Sequence, residues 1–318
     1  MQSTTPAFAS ADINAKAIAK SKSLSETEER RRNRARNSLW WDAFFRFKRN
    51  KVGVVSFFII MLYIIVGVLA AVGLLYPNAQ VPNQVEAYTS MSWAHPFGSD
   101  IFGRDILGRA VHGITTAISI GLLASTLSLV IGLVFGAVAG YFGEKTDAFV
   151  VWLYTTVDSI PYILLIPSLT FVLGRGLINV FIAVGLTSWV TTARLVRGEF
   201  LKHKNRDYVM AAHAIGAGDS RKIFGHILPN VAHLAFVQFG LGFVAAIKIE
   251  VILSYLGLGV DPSQPSWGLM IDDAKNELAR PYWGNLTAAT LFMFGLILSF
   301  NLFNDALREA LDPKMKNK

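Results

Sequence analysis

Residues 113–141 read GITTAISIGLLASTLSLVIGLVFGAVAGY, without a single charged side chain. A helix needs about 20 apolar residues to cross the hydrocarbon layer. This run exceeds that and is too long for an ordinary core helix. Similar runs lie on either side. Residues 52–75, 176–193 and 284–304 carry no charge, 148–174 hold only Asp158, and 231–257 hold only Lys248 and Glu250. The sequence therefore predicts an all-α integral membrane protein with six transmembrane helices. The first run starts some fifty residues in and is longer than the core of a cleaved signal peptide. Composition agrees: 53% of the 318 residues are hydrophobic and mean hydropathy is +0.42, high for a soluble domain.

The formal charge of +8 is not a nucleic-acid surface, because the basic residues cluster between the apolar runs. Twenty-four of them precede the first span, lie in the second-to-third and fourth-to-fifth connections or follow the last span, against five in the other connections. By the positive-inside rule both termini and residues 199–230 face the cytoplasm. Residues 1–38, rich in Ala, Ser and charge, read as a disordered basic segment that fixes topology and touches anionic lipid rather than RNA. Residues 39–51 mix Trp40, Trp41, Phe44, Phe45 and Phe47 with Arg46, Lys48 and Arg49, which suits an interfacial helix leading into the first span. Residues 52–314 form the membrane domain and 315–318 a cytoplasmic tail. The prolines of 76–112 and 258–283 argue against long regular elements in those two loops.

Residues 199–230 are too long for a bare loop and carry helix signals. Asp207 caps a helix through Tyr208, Val209, Ala211, Ala212 and Ile215. Gly216 and Gly218 end it, since glycine accepts positive φ. Asp219 or Ser220 caps a second helix with Ile223, Phe224 and Ile227, and Pro229 marks the turn into the next span. Two short angled helices with an apolar face and a basic rim form a knob that another protein would receive. Ala211, Ala212 and Ile215 are expected to form the apolar contact beneath Gly216, and Arg221 and Lys222 the basic rim.

Inside the spans, Asp158, Lys248 and Glu250 are the ionisable groups, which by cost alone mark a pathway or gate. Asp158 also fits a structural role, capping a half-helix broken at Pro161. Lys248 and Glu250 are two apart and do not share a helix face. Gly132, Gly136 and Gly140 form a stripe for close helix contact. Asp272 and Asp273 read as a solvated pair. The chain has no Gly-Lys-Ser or Gly-Lys-Thr phosphate loop, no metal-ligand histidine spacing, no arguable nucleophilic triad and no cysteine. It is not read as an enzyme.

Tyr208-Val209-x-Ala211-Ala212-x-x-x-Gly216, followed by Ile223 and His226-Ile227-Leu228-Pro229-Asn230, resembles the "EAA" loop of binding-protein-dependent permeases, although the usual leading Glu is absent. Four further stretches are similar to family motifs in the same order. They are Arg49-Asn50-Lys51; His95-Pro96-Phe97-Gly98-Ser99-Asp100 with Gly103-Arg104-Asp105 and Arg109; Glu250 to Gly259 with Pro265-Ser266-Trp267-Gly268; and Asn301-Leu302-Phe303 through Asp312-Pro313. Together they run from about Trp41 to Lys314 and point to the second permease of the dipeptide, oligopeptide and nickel importers. In the third span, Trp152 and Thr155 stand where that family often has Arg and Asp, a departure that bears on substrate rather than fold.

The resemblance implies a MetI-like permease fold of type I ABC importers in the bacterial inner membrane, forming half of a translocation pathway for peptides. It implies coupling through Tyr208, Ala211, Ala212, Ile215, Gly216, Arg221, Lys222, Ile223, Leu228 and Pro229. The implied partners are a second homologous permease, two ATPase subunits holding ATP and Mg, and an extracytoplasmic solute-binding protein; this chain would bind no cofactor. Nickel or another non-peptide solute remains open as cargo. Six spans alone also fit a self-sufficient channel or secondary transporter. That reading calls for inverted repeats and charges paired at midplane; no convincing repeat is seen, and the two-helix loop would have no use.

Overall fold

A computed structural model describes residues 41–311 except Asp42 and Pro281. The segment 1–38, residues 39 and 40 of the expected interfacial helix, and the tail from 312 onward lie outside the described residues. The elements are helical residues 43–49 (α1), α2 (Lys51–Ala71), α3 (Ile106–Phe142), α4 (Glu144–Asp158), α5 (Tyr162–Leu173), α6 (Leu177–Thr187) and α7 (Trp189–Lys204). There follow α8 (Asp207–Ala214), a π-helix (Arg221–Ile227), α9 (Leu228–Tyr255), α10 (Trp267–Glu277) and α11 (Gly284–Leu311). Among the described residues five helical stretches are long and apolar enough to cross a membrane, and six if α4 and α5 count as one broken span.

Several boundaries differ from the sequence reading, each for a physical reason. The second span begins at Ile106 rather than 113, because Asp105 caps it by accepting from the Gly108 N–H at 2.8 Å. Its 37 residues extend about 55 Å, well past the hydrocarbon. The third span is not one helix. Pro161 has no N–H to continue the ladder, and α4 and α5 meet at 86°. The fourth span continues through Ser188 into α7 and ends only at Lys204. The loop 258–283 contains a regular element after all: α10, whose first turn is held by the Ser266 hydroxyl accepting from the Gly268 N–H at 3.0 Å.

α3 is the mast of the bundle. Gly132, Gly136 and Gly140 of α3 pack against α7; a Cβ on any of them would come within 2.6–2.7 Å of Thr192, Ala193, Val196, Arg197 or Phe200. Gly113 makes room for Trp267 of α10, whose indole N–H donates to the Ala110 carbonyl at 2.9 Å. The largest core cluster joins α3, α9, α10 and α11 through Ile106, Ile114, Phe243, Ile247, Trp267, Met270 and Leu296.

The end of the bundle bearing α10 and the 76–105 loop is fastened by charge. Asp100, fully buried, receives Arg104 Nε and Arg109 Nη1, each at 2.7 Å, and Arg109 also reaches Asp273 at 2.9 Å. Asp273 is therefore a tie between α10 and α3 rather than a solvated partner of Asp272, which pairs with Lys275.

Candidate functional site

At the opposite end of the bundle residues 205–230 form a compact knob. α8 starts after Arg206, so Asp207 is its first residue rather than its cap. The helix closes with the Ala217 N–H on the Ala212 carbonyl (3.0 Å) and the Gly216 N–H on that of His213 (2.9 Å). This double closure requires a left-handed residue after the helix, and Gly216 supplies it at φ +80°. The second helix is a π-helix without a side-chain cap, contrary to the Asp219 or Ser220 cap expected. Pro229 offers Gly225 no N–H and crowds its carbonyl, so the turn before it widens.

The knob is anchored on one side and bare on the other. Val209, Ile227, Tyr208, Ile223 and Leu228 join Tyr141, Val196 and Phe200 in a core cluster with α3 and α7. Tyr141, near the end of α3, donates to Asp219 at 2.6 Å, and Lys222 pairs with the same carboxylate at 2.8 Å. Lys222 and then Tyr141 hold the Asp219 carboxyl below the usual aspartate range. Tyr208 meets His203 across 2.6 Å.

Ile215 is 86% exposed and Phe224 67%, and Met210, Ala211 and Arg221 are exposed with them. The expected apolar set therefore divides: Ala212 is buried within the chain, while Ala211 and Ile215 face outward. Lys222 is buried and ion-paired, so the rim contains Arg221 but not Lys222.

The three intramembrane ionisable residues separate. Asp158, the last residue of α4, caps nothing on α5; it accepts from Arg194 of α7 at 2.7 Å. Glu250 is buried, and its Oε1 accepts from Ser254 (2.7 Å) and Ser266 (2.6 Å), tying α9 to the start of α10. Lys248, two residues before it, points elsewhere. It lines, with Asp158, a cleft of about 490 Å³ between α3, the α4–α5 break, the α6–α7 junction and α9. Ser125, Ser128, Thr187, Ser188 and Gln238 add polar groups to that wall. The sequence marked Asp158 and Lys248 but not these neutral residues, which are unremarkable until the helices pack. Among the described residues no cluster of His, Asp and Glu could hold a metal ion.

Comparison with known proteins fits this geometry. Residues 132–317 match the family model described as "Binding-protein-dependent transport system inner membrane component", and 38–89 match the "N-terminal TM domain of oligopeptide transport permease C". The oligopeptide transport system permease protein OppC of Bacillus subtilis is 38% identical over 279 residues, 88% of this chain and 91% of that one. The dipeptide transport system permease protein DppC of the same organism is 34% identical, covering 86% of each chain. The glutathione transport system permease protein GsiD of Pectobacterium atrosepticum is 30% identical, covering 90% of this chain and 95% of that one. With its membrane helices and its five ordered motifs, this chain belongs to the binding-protein-dependent transport system inner membrane components, as a permease of the OppC and DppC type.

Proposed function

We propose that the chain is the second permease of a peptide importer in the bacterial inner membrane, and that the knob is where ATP-driven motion enters it. One observation carries this reading: the knob presents Met210, Ile215 and Phe224 to its surroundings while being clamped to α3 and α7 from behind. An exposed apolar tip on a rigid base is what a receiving protein needs. The lysine and arginine distribution supports a cytoplasmic position for this end and for both termini.

Two ATPase chains would hold ATP and Mg there, since the sequence offers no phosphate loop. A homologous permease would cover the cleft side, because polar groups in a membrane segment cannot face lipid. A solute-binding protein would dock over the α10 end. The mixed aromatic and basic residues of 41–51 favour lipid headgroups as the remaining partner. Peptides are the proposed cargo: two of the relatives carry peptide-transport names and the third transports glutathione, itself a short peptide.

The chain has no cysteine, so single cysteines report cleanly. In the assembled importer, Ile215→Cys and Phe224→Cys are expected to crosslink to the ATPase chains with a short bifunctional reagent, whereas Leu298→Cys on α11 is not. Crosslinking of neither knob position would remove the knob from the ATPase contact.

A further inference from the structure

The cleft carries one charge with no match. Asp158 is neutralised by Arg194 at 2.7 Å. The other groups facing the cleft are neutral: Ser125 and Ser128 from α3, Tyr162 from α5, Thr191 and Thr192 from α7, and Gln238 from α9. Lys248 is exposed on the cleft wall and makes no hydrogen bond or ion pair among the described residues. Glu250 cannot serve it. Two positions along a helix turn the side chain through about 200°, and Glu250 is occupied by Ser254 and Ser266. Nor can the end of the helix relieve the charge easily, since Lys248 lies seven residues before Tyr255, about 10 Å along the axis.

An intramembrane ammonium is costly and persists where it has a partner or a task. We propose that Lys248 is a carboxylate station on the transport path, its ammonium meeting the carboxylate of each peptide that crosses the cleft. This rests on the peptide-permease reading. The side chain suits a transient role. Lysine is a point charge on a flexible stem, not the planar fork that locks a carboxylate in two places. A transport site must bind firmly enough to admit its cargo and loosely enough to release it. The same lone positive charge disfavours metal cations as cargo. The cleft's serines, threonines and Gln238 supply donors and acceptors for peptide groups of any sequence, so the carboxylate is the one recurring feature that a fixed charge can select.

The test uses the complete importer in vesicles, with its partner permease, ATPases and binding protein. Three cargoes are compared: tri-alanine, tri-alanine amide, and Ala-Asp-Ala amide. They carry a terminal carboxylate, no carboxylate, and a side-chain carboxylate. Uptake by each variant is divided by wild-type uptake of the same cargo. For Lys248→Gln the ratio is expected to fall about tenfold for tri-alanine, the worth of one charge-assisted hydrogen bond, and to stay near one for tri-alanine amide. Ala-Asp-Ala amide decides the source of the carboxylate. If it falls with tri-alanine, either carboxylate serves; if it does not, the terminal one is read. Lys248→Arg keeps the positive charge and is expected to keep the preference for tri-alanine over tri-alanine amide, and Lys248→Met replaces the Gln variant if that one does not assemble. Equal loss of all three cargoes would overturn the station and give Lys248 a carboxylate on the facing permease instead. Wild-type uptake of none of the three would sink the peptide reading and the station with it, a result distinct from a cargo-independent loss in the variant.

Discussion

Replacing Gly136 by alanine adds one methyl group where α3 and α7 approach closely. Built on the backbone, its Cβ lies 2.7 Å from the Ala193 carbonyl oxygen and 2.7 Å from the Val196 Cβ. The first is main chain and cannot rotate away, so α3 and α7 must separate by about 0.7 Å to restore ordinary contact. A gap of about 0.5–1 Å forfeits a quarter to a half of each neighbouring dispersion contact. Gly132 and Gly140, one turn to either side, are packed as tightly, so the loss spreads along the stripe. Overpacking of this kind costs about 1–3 kcal/mol. Gly198 is the internal control: it lies within α7, and a Cβ there meets nothing within 4 Å. Alanine at that helical position should gain about 0.5–1 kcal/mol. The assay is unfolding of the purified chain in detergent by heat or by titrated SDS. Gly136→Ala should unfold earlier than wild type and Gly198→Ala later. If Gly136→Ala were as stable as wild type, or Gly198→Ala fell as far, the α3–α7 packing account would be refuted.

Four other outcomes follow from the structure. A cysteine at Asp219 should escape an impermeant reagent added to intact cells while one at Ser263 reacts; the reverse would invert the topology. Gly216→Val must place a β-branched residue at φ +80°, costing about 1–2 kcal/mol. Membrane insertion should hold while transport per inserted complex falls, and unchanged transport would detach the knob from coupling. Glu250→Ala leaves the Ser254 and Ser266 hydroxyls without their acceptor at a cost of about 1–3 kcal/mol, so proteolysis in 258–266 should rise. Glu250→Gln keeps an acceptor and should stay nearer wild type; equal effects would deny the tether. Because Lys222 and Tyr141 depress the Asp219 carboxyl, its contribution to the knob is present above the ordinary aspartate value near 4 and is lost as pH falls through the lower folded value. Hydrogen-exchange protection of the knob, corrected for intrinsic rate, should therefore show an acid step below about pH 4, and Asp219→Asn should abolish that step.

The spans were legible because charge is absent from them; their ends were not. Arg109 and His112 made the second span seem to start at 113, yet Arg109 is buried at its start because Asp100 and Asp273 neutralise it. Asp100 lies close by in sequence, but Asp273 comes from α10, beyond the reach of local reading. Pro161 announced a break, but the 86° bend depends on what packs around it. α10 was hidden by the prolines flanking it, although Ser266-Trp267 after Pro265 is a fair cap signal. Gly216 was readable, since a glycine after an apolar helix fits a left-handed closure. The inward Lys222 was not, because Asp219, which draws it in, is itself held by Tyr141 of α3.

The central claim is that this chain is half of a pathway driven by other chains. Vesicles holding this chain alone, and vesicles holding it with a partner permease, ATPases and binding protein, should be compared for ATP-dependent uptake of labelled tri-alanine. The account predicts uptake only by the full assembly, with ATP hydrolysis that rises when the loaded binding protein is added. Sustained uptake by the single chain would contradict it.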